Sequence, residues 1–246
     1  MYETLLISAM AGLATGLGGL IVVCFGKPSV KVLSLILGIA AGINIVIATV
    51  ELLPAAVEHG NLFLMSAGFV FGIAIMSLID RAIPNVNLLN GDRIGLDSAR
   101  LIRAGILIAV ALAVHNLPEG LAIGAGFEAT HSLGAIIALA IGLHNIPEGM
   151  GAAAPLKMGG MDNKRIVLIT CLAGLATPLG TFIGMLLMRL SAAFVSLSLA
   201  FGGGAIMYVV CKELIPESQR QHAQYAIYGM TLGFLITLIL VFGEII

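Results

Sequence analysis

Charge is what this sequence has least of. Only 10% of its 246 residues are Asp, Glu, Lys or Arg, against about 25% in a soluble domain. Apolar residues make up 59% and the mean hydropathy is +1.10. Other absences narrow the class further. No run alternates polar and apolar residues as a barrel strand does, which excludes a β-barrel. No Lys or Arg precedes the first apolar run, so a cleavable signal peptide is not expected there. No Gly-x-x-x-x-Gly-Lys-Ser/Thr occurs, which removes an ATP-driven pump. Cys24, Cys171 and Cys211 are scattered without a paired metal spacing and read as packing thiols.

What is present is a series of apolar segments near the ~20 residues a membrane helix needs. Eight are expected: Glu3–Cys24, Val32–Val57, Leu62–Ile79, Ile102–Gly126, Ser132–Ala154, Ile166–Met188, Ser191–Leu214 and Gln224–Val241. They are numbered segments 1 to 8. Short connections leave residues 1–246 as one multi-pass membrane domain with no soluble one. The basic residues divide by loop. Lys27, Lys31, Arg81, Arg93, Arg100, Arg103, Lys157, Lys164, Arg165, Lys212 and Arg220 fall on one side, 11 of the 12, and Arg189 alone falls on the other. The positive-inside rule then puts the odd loops in the cytoplasm and both termini outside the cell or inner membrane.

Two near-copies of one hexapeptide occupy the middle of segments 4 and 5: His115-Asn116-Leu117-Pro118-Glu119-Gly120 and His144-Asn145-Ile146-Pro147-Glu148-Gly149. Each begins about eleven to thirteen residues into its segment, close to mid-bilayer at 1.5 Å per residue. Ionisable groups at that depth are costly and mark function. His and Glu four apart share a helix face, and imidazole with carboxylate is ligand chemistry for zinc and other first-row divalent metals. Facing one another, His115, Glu119, His144 and Glu148 balance a divalent cation. Asn116 and Asn145 could add oxygen ligands or hold the carboxylates. A buried polar network that merely fixes packing would not need to repeat the Pro. Weaker candidates are Glu51, Glu58, His59, Glu128 and His131 as an outer funnel, and Glu213 with Glu217 on the exit side. Asp80-Arg81 reads as an anchoring pair, and His222 as a loop residue.

A second repetition is internal. Ala11-Gly12-Leu13-Ala14-Thr15-Gly16-Leu17-Gly18 matches Ala173-Gly174-Leu175-Ala176-Thr177-Pro178-Leu179-Gly180 at seven of eight positions, at an offset of 162. At the same offset Glu51-Leu52-Leu53-Pro54 matches Glu213-Leu214-Ile215-Pro216. Segments 1 and 6 are five crossings apart and run in opposite directions. Segments 1–3 and 6–8 therefore form an inverted pair around segments 4 and 5, the plan of secondary transporters with a midplane ion site.

The paired His-Asn-x-Pro-Glu-Gly motifs strongly resemble those of the ZIP (Zrt/Irt-like protein) family of divalent metal transporters. Asp80-Arg81-x-x-Pro84 and Glu213-Leu214-Ile215-Pro216-Glu217-Ser218 resemble its bacterial GufA-like branch. The resemblance implies an all-α membrane protein of eight transmembrane helices in a 3+2+3 arrangement. It implies import of Zn²⁺, with Fe²⁺, Mn²⁺, Co²⁺ or Cd²⁺ as further substrates, by alternating access. It also implies a primary metal site of His115, Glu119, His144 and Glu148, and a second position approached by Asn116 and Asn145 with the shared glutamates. Three departures stand out. Thr177 occupies the position where this branch usually carries Glu before Pro178. Asn44 replaces a Met in Ala41-Gly42-Ile43-Asn44, which makes the site harder and favours iron or manganese modestly. The cytoplasmic loop has no His-rich run for metal sensing. One tightly held metal is therefore expected.

The rival readings are an intramembrane zinc metallohydrolase, in which buried His and Glu around zinc would activate water, and a metal receptor or structural membrane protein. Against the hydrolase, no His-Glu-x-x-His is present and an inverted repeat has no role in hydrolysis. No catalytic residue, resident cofactor or nucleic-acid partner is expected. The partners expected are the metal ion and the lipid bilayer; the oligomeric state is left open, a homodimer included. The 11-to-1 division of basic residues predicts that tags at both termini react with impermeant reagents from the outer side of intact cells. Reaction only after the membrane is opened would reverse the topology.

Overall fold

The computed structural model describes residues 2–82, 96–129, 131–187 and 192–243. Pro84, Arg93 and Arg189 lie outside them, as does the side chain of Glu128. Among the described residues every regular element is helical. In chain order they are α1 (Tyr2–Phe25), α2 (Val30–Val46), a π turn (Ile47–Leu52), α3 (Leu53–His59), α4 (Leu62–Ala82), α5 (Leu96–Ala129), α6 (His131–Met158), α7 (Asn163–Gly174), α8 (Ala176–Leu187), α9 (Ala192–Val209), a second π turn (Val210–Leu214) and α10 (Ile215–Gly243).

Local chemistry sets the boundaries. Ser29 caps α2 by accepting from the Val32 amide at 3.3 Å, and Asp162 caps α7 by accepting from the Lys164 amide at 3.1 Å. Gly26 and Gly160 take left-handed φ values of 84° and 88° where α1 and α6 end. The π turns precede Pro54 and Pro216, which cannot donate to the carbonyl four residues back. A wider turn absorbs each mismatch, and each holds a glutamate of the repeated Glu-Leu-Leu/Ile-Pro.

Among the described residues six helical stretches are long and apolar enough to cross a membrane: Tyr2–Phe25, Val30–His59, Leu62–Arg81, Asp97–Gly124, Asn163–Leu186 and Ala192–Ile239; the expected segment 5, within α6, is not one of them. The last stretch runs through two of the segments expected from the sequence, with a kink at His222 where φ is −163° and ψ is 96°. His222 is thus the corner between them, edge-on to the Tyr225 ring at 4.9 Å between centroids.

The interhelical contacts are made through small residues, and they come in matched pairs. A Cβ placed on Gly12 would lie 2.1 Å from the Gly174 carbonyl oxygen, and one on Gly174 would lie 2.0 Å from that of Gly12. Gly120 meets the Thr177 carbonyl at 1.9 Å as Gly149 meets that of Thr15 at 2.0 Å; Gly180 meets Leu117 as Gly18 meets Ile146. In the last two cases each pair becomes its mate by moving 162 residues in one helix and 29 in the other, whereas the Gly12–Gly174 pair maps onto itself at 162. Ser34 Oγ donates to the Ser218 carbonyl at 2.9 Å and Ser196 Oγ to that of Ala56 at 2.7 Å, again mates at 162.

Two ends of the molecule are distinguishable. On the termini face, His131 Nε2 lies 3.1 Å from Glu3 Oε1, which joins the starts of α6 and α1. On the opposite, loop face, buried Asp80 accepts from Arg103, from Lys212 at 2.7 Å and from Tyr208 at 2.8 Å. The sequence paired Asp80 with Arg81; its partners instead come from α5, α9 and the second π turn, because Arg81 points outward and is exposed.

Backbone contact at this range leaves no room for a methyl group. Gly120→Ala and Gly149→Ala should each destabilise the protein by about 1–3 kcal/mol, read as a lower thermal midpoint in detergent. Gly142→Ala, where a Cβ would meet Ala11 Cα at 3.4 Å, should be tolerated. Equal midpoints for all three would refute the packing argument.

Candidate metal centre

The two motifs lie inside continuous helices. Pro118 falls within α5 and Pro147 within α6, and the helices pass through both without a break. Each proline leaves the carbonyl four residues back, Val114 or Leu143, without its helical donor. The same face of α5 carries His115 and Glu119; that of α6 carries His144 and Glu148.

Packing α5 against α6 brings all four together. One ligand atom from each of His115, Glu119, His144 and Glu148 lies within 4.8 Å of the others. His115 Nε2 is 2.9 Å from Glu119 Oε1 and 3.9 Å from Glu148 Oε1, and His144 Nε2 is 2.5 Å from Glu119 Oε1. His115 is fully buried, and Glu148 and Glu119 nearly so. Among the described residues this is the one cluster of three or more His, Cys, Asp or Glu with such geometry.

The cluster is short of donors. Oε2 of Glu119, Oε2 of Glu148 and Nδ1 of His115 are buried with no hydrogen-bond partner. Each orphaned carboxylate oxygen costs about 1–3 kcal/mol, a cost that a coordinated cation removes. Two carboxylates and two neutral imidazoles match a divalent charge, in the ligand chemistry of zinc and its first-row neighbours.

The neighbouring amides are placed differently from the simplest expectation. Asn116 Nδ2 donates to the Ala173 carbonyl at 3.1 Å, and Asn145 Nδ2 to the Ala11 carbonyl at 3.0 Å. These bonds are mates at offsets 29 and 162. They tie the motifs to α7 and α1, so neither amide holds a carboxylate. The Oδ1 atoms of both stay buried and unpartnered. Asn44 turns its nitrogen, not its oxygen, toward the cluster: Nδ2 donates to Glu148 Oε1 at 2.8 Å and to the Ala40 carbonyl at 2.9 Å. It orients Glu148. Thr177 Oγ1 is buried without a partner, and so is Thr15 Oγ1, its mate at 162. Sequence reasoning singled out Thr177 and passed over Thr15, although the repeat pairs them.

Two cavities flank the cluster. One of about 230 Å³ on the termini side is lined by Glu119, His144 and Glu51. The other, on the loop side beside Glu148 and Asn44, holds about 10 Å³. Further toward the loop face, a pocket of about 220 Å³ is lined by Arg100, Arg103, Lys212, Glu213, Glu217 and Arg220. Glu217 is engaged by Arg100 through bonds of 3.0 and 3.2 Å and by Gln221. Of the expected outer funnel, Glu51 reaches the cluster's cavity. His59 Nδ1 instead lies 2.8 Å from the Ala55 carbonyl of its own helix, and His131 pairs with Glu3.

Comparison with known proteins agrees with this chemistry. Residues 90–241 match the family model described as ZIP Zinc transporter. The chain is 34% identical to a protein named Zinc transporter ZupT from Corynebacterium efficiens, over 94% of this chain and 92% of that one. A Zinc transporter ZupT from Chlorobium limicola is 35% identical over 94% of each chain. Zinc transporter GufA from Myxococcus xanthus is 34% identical over 98% of each.

Orphaned acceptors in a buried pair of carboxylates store strain when no cation is held. Glu148→Gln keeps an oxygen for Asn44 and removes one charge. It should raise the thermal midpoint of chelator-treated protein, by the equivalent of about 1–2 kcal/mol. A fall in the midpoint would mean that the carboxylate is fully compensated without a metal.

Proposed function

We propose that this chain, which belongs to the ZIP zinc transporter family, carries Zn²⁺ into the cytoplasm through the site formed by His115, Glu119, His144 and Glu148. Family membership makes it a membrane transporter of divalent metal rather than an enzyme, and removes the support for the hydrolase reading. The observation that carries the site is the convergence of four ionisable side chains within 4.8 Å, buried amid apolar helices with orphaned carboxylate oxygens.

The finer reading has separate supports. Matched contacts at an offset of 162 favour eight membrane helices in a 3+2+3 arrangement, with segments 1–3 and 6–8 as inverted units around segments 4 and 5. The kink at His222 divides the last apolar stretch into segments 7 and 8, and α6, which carries the second motif, supplies segment 5. Unequal cavities on the two sides of the cluster favour alternating access. The basic residues favour termini outside the cytoplasm, and residues 1–246 acting as one transport domain. Fe²⁺, Mn²⁺, Co²⁺ and Cd²⁺ share the ligand chemistry and are assigned as secondary substrates. Asn116 and Asn145, with carbonyl oxygens still unpartnered, are assigned to a weaker second position beside the primary site. A hydroxyl at Thr177 gives that position no anionic ligand, so one metal is held tightly.

Entry needs no coupled ion. A potential of 100 mV, negative inside, favours entry of a divalent cation by about 4.6 kcal/mol.

His144→Ala and Glu148→Ala should each abolish most Zn²⁺ uptake into proteoliposomes containing only this protein, while both variants insert and elute as folded protein. Removing one ligand of four leaves the remaining charge buried and uncompensated. Near-normal uptake by both variants would place the transport site elsewhere.

A further inference from the structure

We infer that the metal leaves toward the loop face between Ile108, Leu112, Val209 and Leu214, and that these four aliphatic side chains are the barrier that must part. The inference rests on the cluster being the transport site. It comes from applying the molecule's own repetition to its two unequal cavities. The larger cavity, about 230 Å³, is walled by Ile47, Leu52, Ile137 and Ile141 between the cluster and Glu51. Moving 162 residues takes Ile47 to Val209, Leu52 to Leu214 and Glu51 to Glu213. Moving 29 residues back takes Ile137 to Ile108, Ile141 to Leu112 and His144 to His115. All four of the aliphatic mates line the 10 Å³ cavity beside Glu148, together with Ala40, Asn44, Ala111 and Ile206. The same aliphatic wall in the same register is thus open on one side and shut on the other.

Register supports the assignment. Ile108, Leu112, His115 and Glu119 fall at i, i+4, i+7 and i+11 on α5, one face of the helix, as Ile137, Ile141, His144 and Glu148 do on α6. A cation leaving the cluster along the face of α5 would meet Leu112 and then Ile108. Beyond them lie Glu213 and the wide pocket at the loop face.

The shut side is also held. Arg100 and Arg103, one turn apart on α5, reach Glu217 on α10 and Asp80 on α4. Both pairs are part-buried, and they fasten the loop-face end of the helix that carries Ile108 and Leu112. Parting the barrier requires that end to move, so these pairs act as the clasp.

The test uses full-length protein with Cys24, Cys171 and Cys211 replaced by Ala, in sealed vesicles of either orientation. Leu112→Cys and Val209→Cys should react slowly with an impermeant thiol reagent from the loop face. Adding Arg100→Gln with Arg103→Gln should raise that rate about tenfold, the scale expected on losing two part-buried ion pairs. Ile141→Cys should react readily from the termini face, and slow in the same double variant. Separately, Leu112→Trp should cut Zn²⁺ uptake by about tenfold or more while zinc still raises the thermal midpoint, because a plugged route leaves the cluster intact. Uptake by the cysteine-free parent is measured alongside. If the parent transports zinc but Leu112→Trp transports equally well, or neither cysteine reacts from the loop face in the double variant, this route is wrong and the transport site stands. If the parent does not transport, the proposed function fails, while the labelling still reports whether this route opens.

Discussion

Four ionisable side chains held within one apolar helix pair set the terms for the rest of this molecule. Burying charge is costly unless it is compensated, and the protein groups around the cluster leave two carboxylate oxygens without donors. That deficit has to be sustained by the fold. α5 and α6 are consequently gripped on both flanks, by α7 and α8 on one side and by α1 on the other. The grip is made on backbone carbonyls: glycines press against them, and the Asn116 and Asn145 side-chain amides donate to those of Ala173 and Ala11. Helices so held keep the four side chains facing one another.

Much of this was legible in the sequence because the signals are short-range or repeated. His-Asn-x-Pro-Glu-Gly specifies its own helix face, and its second copy specifies a partner. The apolar segments follow from length and composition, and most of the described helices extend only a few residues beyond them. The Ala-Gly-Leu-Ala-Thr and Glu-Leu-Leu/Ile-Pro matches announced contacts that occur as mates at 162 residues. What could not be read was long-range pairing. Asp80 has a cation beside it in sequence and takes its partners from 23 to 132 residues away. Asn44 was legible as a neighbour of the site, but which end of its amide faces Glu148 depends on a carbonyl acceptor at Ala40. Thr15 lacked any chemical flag of its own, and only its pairing with Thr177 gives it meaning.

The prolines illustrate how one residue type does two jobs. Pro118 and Pro147 sit within unbroken α-helix beside the cluster and leave carbonyls free at membrane depth, which is tolerated only where protein, water or an ion can answer them. Pro54 and Pro216 follow π turns, where the helix has already widened to accept them. Sequence alone marks all four as exceptions; only the structure separates the pair at the ligands from the pair that reshapes the backbone around Glu51 and Glu213.

Gly12 and Gly174 each press on the carbonyl of the other. A contact that is its own mate is left unchanged when the two halves exchange places. With no side chain on either partner there is no rotamer to set, and the two backbones meet directly. A methyl group added to either glycine would therefore meet the same obstacle, the other's carbonyl, at the same distance within a tenth of an ångström.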